Sequence, residues 1–160
     1  YCLETLTPMK KIFPFLGLSV VLLSCDALTG EEIARLSINQ VSTEGNLVVK
    51  EATLDLKKDD EIAVWSDMDL EYEGDVQLRF RLQVWKDGKQ TGAFEIDPTE
   101  KRITLGEFKT TLMNKTEWTF SGKNSDIKID EDGNYTLKAI LVASDNSTLK
   151  VNKAEVFFKK

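Results

Sequence analysis

Beyond residue 33 the chain alternates apolar and polar positions with a period of two over most of its length. Ala34, Leu36 and Ile38 fall on one side and Arg35, Ser37 and Asn39 on the other, which is the spacing of a half-buried β-strand. Thr43-Glu44-Gly45-Asn46 reads as a turn. Ala52, Leu54 and Leu56 then alternate against Thr53 and Asp55 in a strand over 47–56, so the two segments predict a hairpin. After a charged turn at 57–60, a third strand runs from Ile62 to Tyr72. It carries Met68, Leu70 and Tyr72 on one face and Asp67, Asp69, Glu71 and Glu73 on the other. The most regular stretch follows Glu73-Gly74-Asp75, with Val76, Leu78, Phe80, Leu82 and Val84 against Gln77, Arg79, Arg81, Gln83 and Trp85.

Lys86-Asp87-Gly88-Lys89 contains Asp-Gly, a tight-hairpin signal that predicts a return strand over 91–96. Ile103 and Leu105 suggest one further strand and Trp118 with Phe120 another, with a turn at Asn114-Lys115 between them. Residues 122–125 read as loop, and Ile127 with Ile129 as a short alternating piece. Tyr135, Leu137, Ala139 and Leu141 mark a strong strand. Leu149, Val151, Ala154, Val156 and Phe158 mark the last one, with a phase break near Lys153 and a turn at Asp145-Asn146-Ser147 before it.

Eight or nine short strands with closely spaced turns, no long helix and no internal repeat predict an all-β sandwich. Glu131-Asp132-Gly133-Asn134-Tyr135 resembles the acidic-x-Gly-x-Tyr lead-in to strand F of immunoglobulin-like domains, the tyrosine corner. The resemblance implies an immunoglobulin-like antiparallel sandwich of about 7–9 strands with the final strand as G. It departs from that pattern at Leu137, where the family carries a cysteine, so an inter-sheet disulfide is ruled out. A jelly roll is the alternative.

The amino-terminal quarter has another pattern. Lys10 and Lys11, preceded by Met9 as a plausible start, lead into an apolar run from Ile12 to Leu23 that ends in Leu22-Leu23-Ser24-Cys25. That run is too short for a membrane span of about 20 residues. Positive n-region, apolar h-region and small residue before the cut are the layout of a secretory signal. Leu-Leu-Ser-Cys resembles the lipobox of bacterial lipoproteins, which implies cleavage before Cys25 and a lipid on its sulfur. The expected organisation is an upstream extension and signal peptide over 1–24, a lipidated tether over 25–32, and a sandwich domain over 33–160. Thr29 and Glu32 have capping-box spacing, so a short helix competes with the tether reading. The expected location is the bacterial cell envelope, with the membrane as a partner through the lipid on Cys25.

Charge and composition narrow the function. Net charge is −6, and removing Lys10, Lys11 and Glu4 with the leader takes it to −7. Such a surface repels phosphates, so nucleic acid is not an expected partner. The chain has no histidine, which removes His-based acid–base catalysis, Ser-His and Cys-His nucleophiles and the usual zinc sites. With Cys2 in the upstream extension and Cys25 lipidated, no cysteine remains for a disulfide in the body. The expectation is a non-catalytic binding or structural module without cofactor.

Two acidic groups invite a calcium reading. The row Asp67, Asp69, Glu71, Glu73 would be explained instead if a turn at 73–75 closed a hairpin that set Asp69 opposite Arg79, Asp67 opposite Arg81 and Glu71 opposite Gln77. Asp130, Asp132 and Asn134 have alternate-residue spacing, but the glycine is misplaced for an EF-hand and the closing glutamate is missing. No metal site is expected. Of three tryptophans, Trp85 shares the outward row with Arg81 and Gln83, and these form the candidate ligand-binding set. An envelope protein or a glycan is the expected partner, the latter through tryptophan stacking; burial of Trp85 under a loop is the competing reading.

Overall fold

In the computed structural model, which describes residues 29–160, the chain forms nine antiparallel strands in two sheets. They are β1 (Glu32–Ser37), β2 (Lys50–Leu56), β3 (Glu61–Glu73), β4 (Leu78–Lys86), β5 (Lys89–Ile96), β6 (Ile103–Leu112), β7 (Lys115–Lys128), β8 (Gly133–Ala143) and β9 (Lys150–Lys159). One sheet has the order β1-β9-β3-β7-β6 and the other β2-β8-β4-β5. The molecule is a β-sandwich.

The alternation explains the layering. Ile62, Val64, Met68, Leu70 and Tyr72 of β3 meet Leu78, Phe80, Leu82 and Val84 of β4, with Leu137, Ala139 and Leu141 of β8 and Ala154, Val156 and Phe158 of β9. These four strands give alternate side chains to this core along most of their length. Asp87 and Gly88 both have positive φ, +49° and +80°, the conformation a two-residue hairpin between right-twisted strands requires. The β4–β5 hairpin therefore forms where Asp-Gly predicts it. The phase break in β9 is a bulge: Asp69 pairs with Lys153 and Leu70 with Val151, so Asn152 is skipped.

Pairing between strands departs from the expectations in three places. The turn at Thr43–Asn46 is present, with each backbone amide bonded to the other's carbonyl, but it does not close a hairpin. β1 pairs with β9 and β2 with β8, in opposite sheets. The same holds for β3 and β4: β3 pairs with β7 and β9, and β4 with β5 and β8. Residues 74–77 cross between sheets, so Asp69 and Asp67 never stand opposite Arg79 and Arg81. Finally, 122–125 is not loop but the middle of β7.

That stretch lacks apolar alternation because it serves a crossing. Asn124 is buried; its amide donates to the carbonyls of Asp97, Pro98 and Glu100 at 3.2, 3.3 and 2.9 Å and its Oδ1 accepts from Ser66 Oγ at 2.7 Å. It holds the segment that carries the chain from β5 to β6. A Cβ on Gly122 would lie 2.5 Å from the Ile103 carbonyl oxygen and 2.7 Å from Lys101 Cδ, so the close approach needs glycine.

The Tyr135 hydroxyl donates to the Glu131 carbonyl at 2.9 Å, the local contact of a tyrosine corner. The strands after it do not follow that resemblance, because β8 and β9 lie in different sheets. Their connection is tied across the gap by Asn146, whose amide donates to the Glu73 and Asp75 carbonyls.

The first described residues contact the body of the sandwich. Glu31 and Lys160 exchange backbone hydrogen bonds at 3.0 and 2.9 Å, and Lys159 Nζ donates to Thr29 Oγ1 at 2.8 Å. The chain is thus docked on the sheet edge from residue 29. This end of the sandwich gathers the connections 57–60, 87–88 and 129–132. Connections 38–49 and 144–149 lie at the other end.

Candidate functional site

Arg81, Gln83 and Trp85 alternate on β4 with core residues and so point outward from the four-stranded sheet. Register places Ile140, Lys138 and Thr136 of β8 beside them in that order, and Glu95 and Ala93 of β5 beside Arg81 and Gln83. Trp85 is half-buried. Its indole N–H donates to Gln83 Oε1 at 3.1 Å, and Lys138 Nζ lies 4.7 Å from the ring centroid. Lys138 is itself paired with Glu51 at 3.2 Å. The ring is partly covered by its own sheet, and its polar handle is satisfied internally.

The loop after β1 completes the site. Ser42 N donates to the Leu141 carbonyl at 2.7 Å, and Val48 N donates to Ser42 Oγ at 2.9 Å. These bonds fix the loop on β8 and present Leu47 and Val49, which are 64% and 49% exposed. With Arg81, Gln83, Lys138 and Ile140 they line a cleft of about 310 Å³. A neighbouring cleft of about 540 Å³ shares Leu47, Arg81 and Ile140 and continues past Val142 to Asn146 and Leu149. Together they form one groove, apolar along its floor, with Arg81 between its halves. Arg81 is held by Glu95 at 2.6 Å. The sequence-predicted set is therefore brought together, but only Arg81 and Gln83 line the groove, and Trp85 sits one row away.

Leu47, Val49 and Lys138 were not among the expected site residues, because they reach Arg81 through pairings that the alternation does not specify. A signal did exist in β8. Its outward row reads Thr136, Lys138, Ile140, Val142, and the last two are apolar where a solvated face would be polar.

A second cavity, of about 640 Å³, opens between the sheets over Val84, Phe94, Ile127, Ile129 and Tyr135. Gly92 adds no side chain there. On the rim, Lys86 Nζ meets Glu131 Oε2 at 2.5 Å. That hydrogen bond holds the Glu131 carboxyl below its ordinary pKa and raises the Lys86 ammonium above its own.

The acidic row of β3 faces outward from the five-stranded sheet, and its cations come from other strands than expected. Asp67 meets Lys153 at 3.2 Å and Arg35 at 3.8 Å; Glu71 meets Lys115 at 2.8 Å and Lys150 at 3.9 Å. Asn152, the bulged residue, donates to both Asp69 and Glu71 at 3.3 Å. Bonds from Lys115 and then Asn152 keep the Glu71 carboxyl below the usual range. Arg79 and Arg81 instead pair with Asp97 and Glu95 of the β5 side. In the other acidic group, Asp132 accepts from the Lys58 amide at 2.8 Å and Asn134 donates to Asp55 at 2.9 Å. Among the described residues, no group of three or more acidic, cysteine or histidine side chains is placed to hold a metal ion.

Cys25 and the expected leader over 1–24 lie outside the described residues. Among those described, no helix is long and apolar enough to cross a membrane. No known protein family matches the chain, and no curated protein resembles it in sequence.

Proposed function

We propose that this protein is a lipid-anchored module of the bacterial cell envelope that binds a partner through the outer face of its four-stranded sheet. The observation that carries the reading is the groove in which exposed Leu47 and Val49 meet Ile140, flanked by Arg81, Gln83 and Lys138. Apolar floor and a few directed polar groups are the composition of a contact surface. Its position is consistent with display. The groove runs towards the connections 38–49 and 144–149, while residue 29, four positions beyond Cys25, is docked at the opposite end.

For the finer fold assignment, the jelly roll is supported over the immunoglobulin-like reading. Leaving β6 aside, the pairs β1–β9, β2–β8, β3–β7 and β4–β5 are nested as in one long hairpin, and β9–β3 with β8–β4 roll it into two four-stranded sheets. Tyr135 alone supports the immunoglobulin-like alternative, which needs the last two strands side by side.

An envelope protein is the favoured partner, because the groove is lined by aliphatic side chains and Trp85 is half-covered. A photo-crosslinking residue at position 49, in cells, is expected to trap a defined partner that is lost on Arg81→Ala, whereas the same residue at position 128, on the outer face of the other sheet, is expected to trap none of it. Equal products at both positions would refute the surface. A glycan remains the second reading, on the strength of Trp85 beside Gln83; envelope polysaccharide quenching Trp85 fluorescence, with no protein trapped, would select it. The anchor is tested separately. Cys25→Ser is expected to abolish labelling by a fatty-acid analogue, and continued labelling would place the lipid elsewhere.

A further inference from the structure

The eight nested strands account for both layers of the sandwich, and β6 is appended beyond them as a fifth strand of one sheet. All ten of its residues are exposed. Ile103, Leu105, Phe108, Leu112 and the turn residue Met113 are among the large apolar side chains left in solvent, with Phe108 65% and Leu112 73% accessible. One edge of β6 pairs with β7; among the described residues no strand pairs with the other. Alternate residues therefore point backbone donors and acceptors into solvent along the free edge. The bulge between Thr104 and Gly106 leaves Gly106–Leu112 as the regular part, and that part contains no proline.

The charges on this edge are self-complementary. Glu107 and Lys109 flank Phe108, and pair with Phe120 and Trp118 of β7, so both lie on the same face. Both are already held in place. Glu107 Oε1 accepts from Trp118 Nε1 at 2.8 Å and from Lys101 Nζ at 3.1 Å, and Lys109 Nζ lies 3.8 Å from the Trp118 ring centroid. An antiparallel copy of the strand laid on the edge with its Phe108 opposite Phe108 puts Glu107 against Lys109 twice, by symmetry. A foreign antiparallel strand would have to carry the same Glu-x-Lys pattern to do the same.

We propose that two copies of this chain join edge to edge through β6, in a two-fold antiparallel pairing centred on Phe108 that makes one ten-stranded sheet. The contact is isologous, so it closes at two copies. The outward faces of the two sheets bring Phe108 and its symmetry mate together, and the Glu107–Lys109 pairs sit on the other face beside Trp118. A single strand pair buries an area at the low end of specific interfaces, so the dimer depends on concentration. The two-fold axis also reverses the bodies. Phe108 lies in the half of the molecule away from residue 29, so the overlapped halves meet and the two amino-terminal ends point apart. Copies anchored as proposed above would pair from facing surfaces rather than as neighbours on one.

Sedimentation velocity of the full chain in a non-ionic detergent tests the pairing without reference to the groove or the anchor. A reversible dimer is expected at tens of micromolar. Glu107→Lys and Lys109→Glu each set like charges opposite one another twice and are expected to weaken it about tenfold; the double variant restores opposite charges and should return to within about threefold of the original. Melting curves show that each variant is folded, and either single variant suffices with the double. A chain that stays monomeric at about 0.5 mM, association of equal strength in all four proteins, or a double variant as weak as the singles would each overturn the proposal. The first outcome would leave the edge to a strand from another protein, the second would place the contact elsewhere, and the third would exclude this register.

Discussion

Trp65 and Trp85 both point away from the core, on opposite faces of the sandwich, and they have different surroundings. Trp65 is 1% exposed, stacks on Phe157 at 6.0 Å between centroids, and lies on the sheet whose acidic row is interlocked with Arg35, Lys115 and Lys153. Trp85 is half-covered on a sheet whose outer face also exposes Leu47 and Val49. Around Trp65 the first face is closed by its own side chains, with its exposed large apolar residues confined to the β6 edge, whereas the second leaves Leu47 and Val49 uncovered along the groove. Two outward-facing residues of one type thus have one surrounding that is closed and one that is half open.

Truncation should expose that difference most clearly. Trp65→Ala is expected to cost about 3–5 kcal/mol, as for other fully buried aromatics, in denaturant unfolding. Trp85→Ala should cost roughly half of that, because only part of its area is removed from water. Equal losses would mean that the two faces are equally closed.

Acid should act mainly through the five-stranded sheet and the connection before β8. Glu71, Glu107 and Glu131 all have pKa values lowered on folding, chiefly by hydrogen bonds from Lys115, Trp118 and Lys86 respectively. A depressed carboxyl contributes stability that is fully present above its unfolded pKa of about 4.3 and is lost as pH falls through the lower folded value. Melting temperature should therefore be flat from neutral pH down to about 5 and fall below that. A fall that began well above pH 5 would point to another group.

Charge reversals probe the separation of the sheets. Asp69→Arg and Arg79→Asp lie in different layers and have different partners, Asn152 and Asp97. Their effects should add to within about 0.5 kcal/mol in the double variant. Mutual rescue would put the two strands side by side and break the observed pairing. The smallest stability effect is expected in the groove. Val49→Asp should shift unfolding by no more than about 0.5 kcal/mol and still remove partner crosslinking at a neighbouring groove position such as 47. A large loss of stability would make Val49 a core residue and remove the contrast.

Outside β6, whose Ile103 and Leu105 stay exposed, alternation was a sound guide to what the strands bury. Met68, Leu70 and Tyr72 face the core and Asp67, Asp69 and Glu71 face out, as their spacing predicts. Asp-Gly placed the β4–β5 hairpin, and the phase slip near Lys153 is the Asn152 bulge. Polar stretches were less legible. Gly122-Lys123-Asn124-Ser125 looks like loop because its inward positions hold a glycine and an asparagine. Those positions receive a backbone crossing rather than apolar side chains. The candidate site was half legible. Arg81 and Gln83 follow from strand parity, while Leu47, Val49 and Lys138 join them only because β8 lies between β2 and β4.

By itself the sequence determined the class of fold, the extent of most strands and the face each side chain takes, because a pleated strand sends successive side chains to opposite sides whatever its neighbour is. Partner choice was decided by tertiary structure. Backbone hydrogen bonds that join strands carry no side-chain identity, so β1 can pair with a segment 120 residues away, where Arg35 bonds Glu155, as readily as with the next strand. Which connections turn back within a sheet and which cross to the other one depends on burying both apolar faces at once. That is a condition on the whole chain, and no single segment records it.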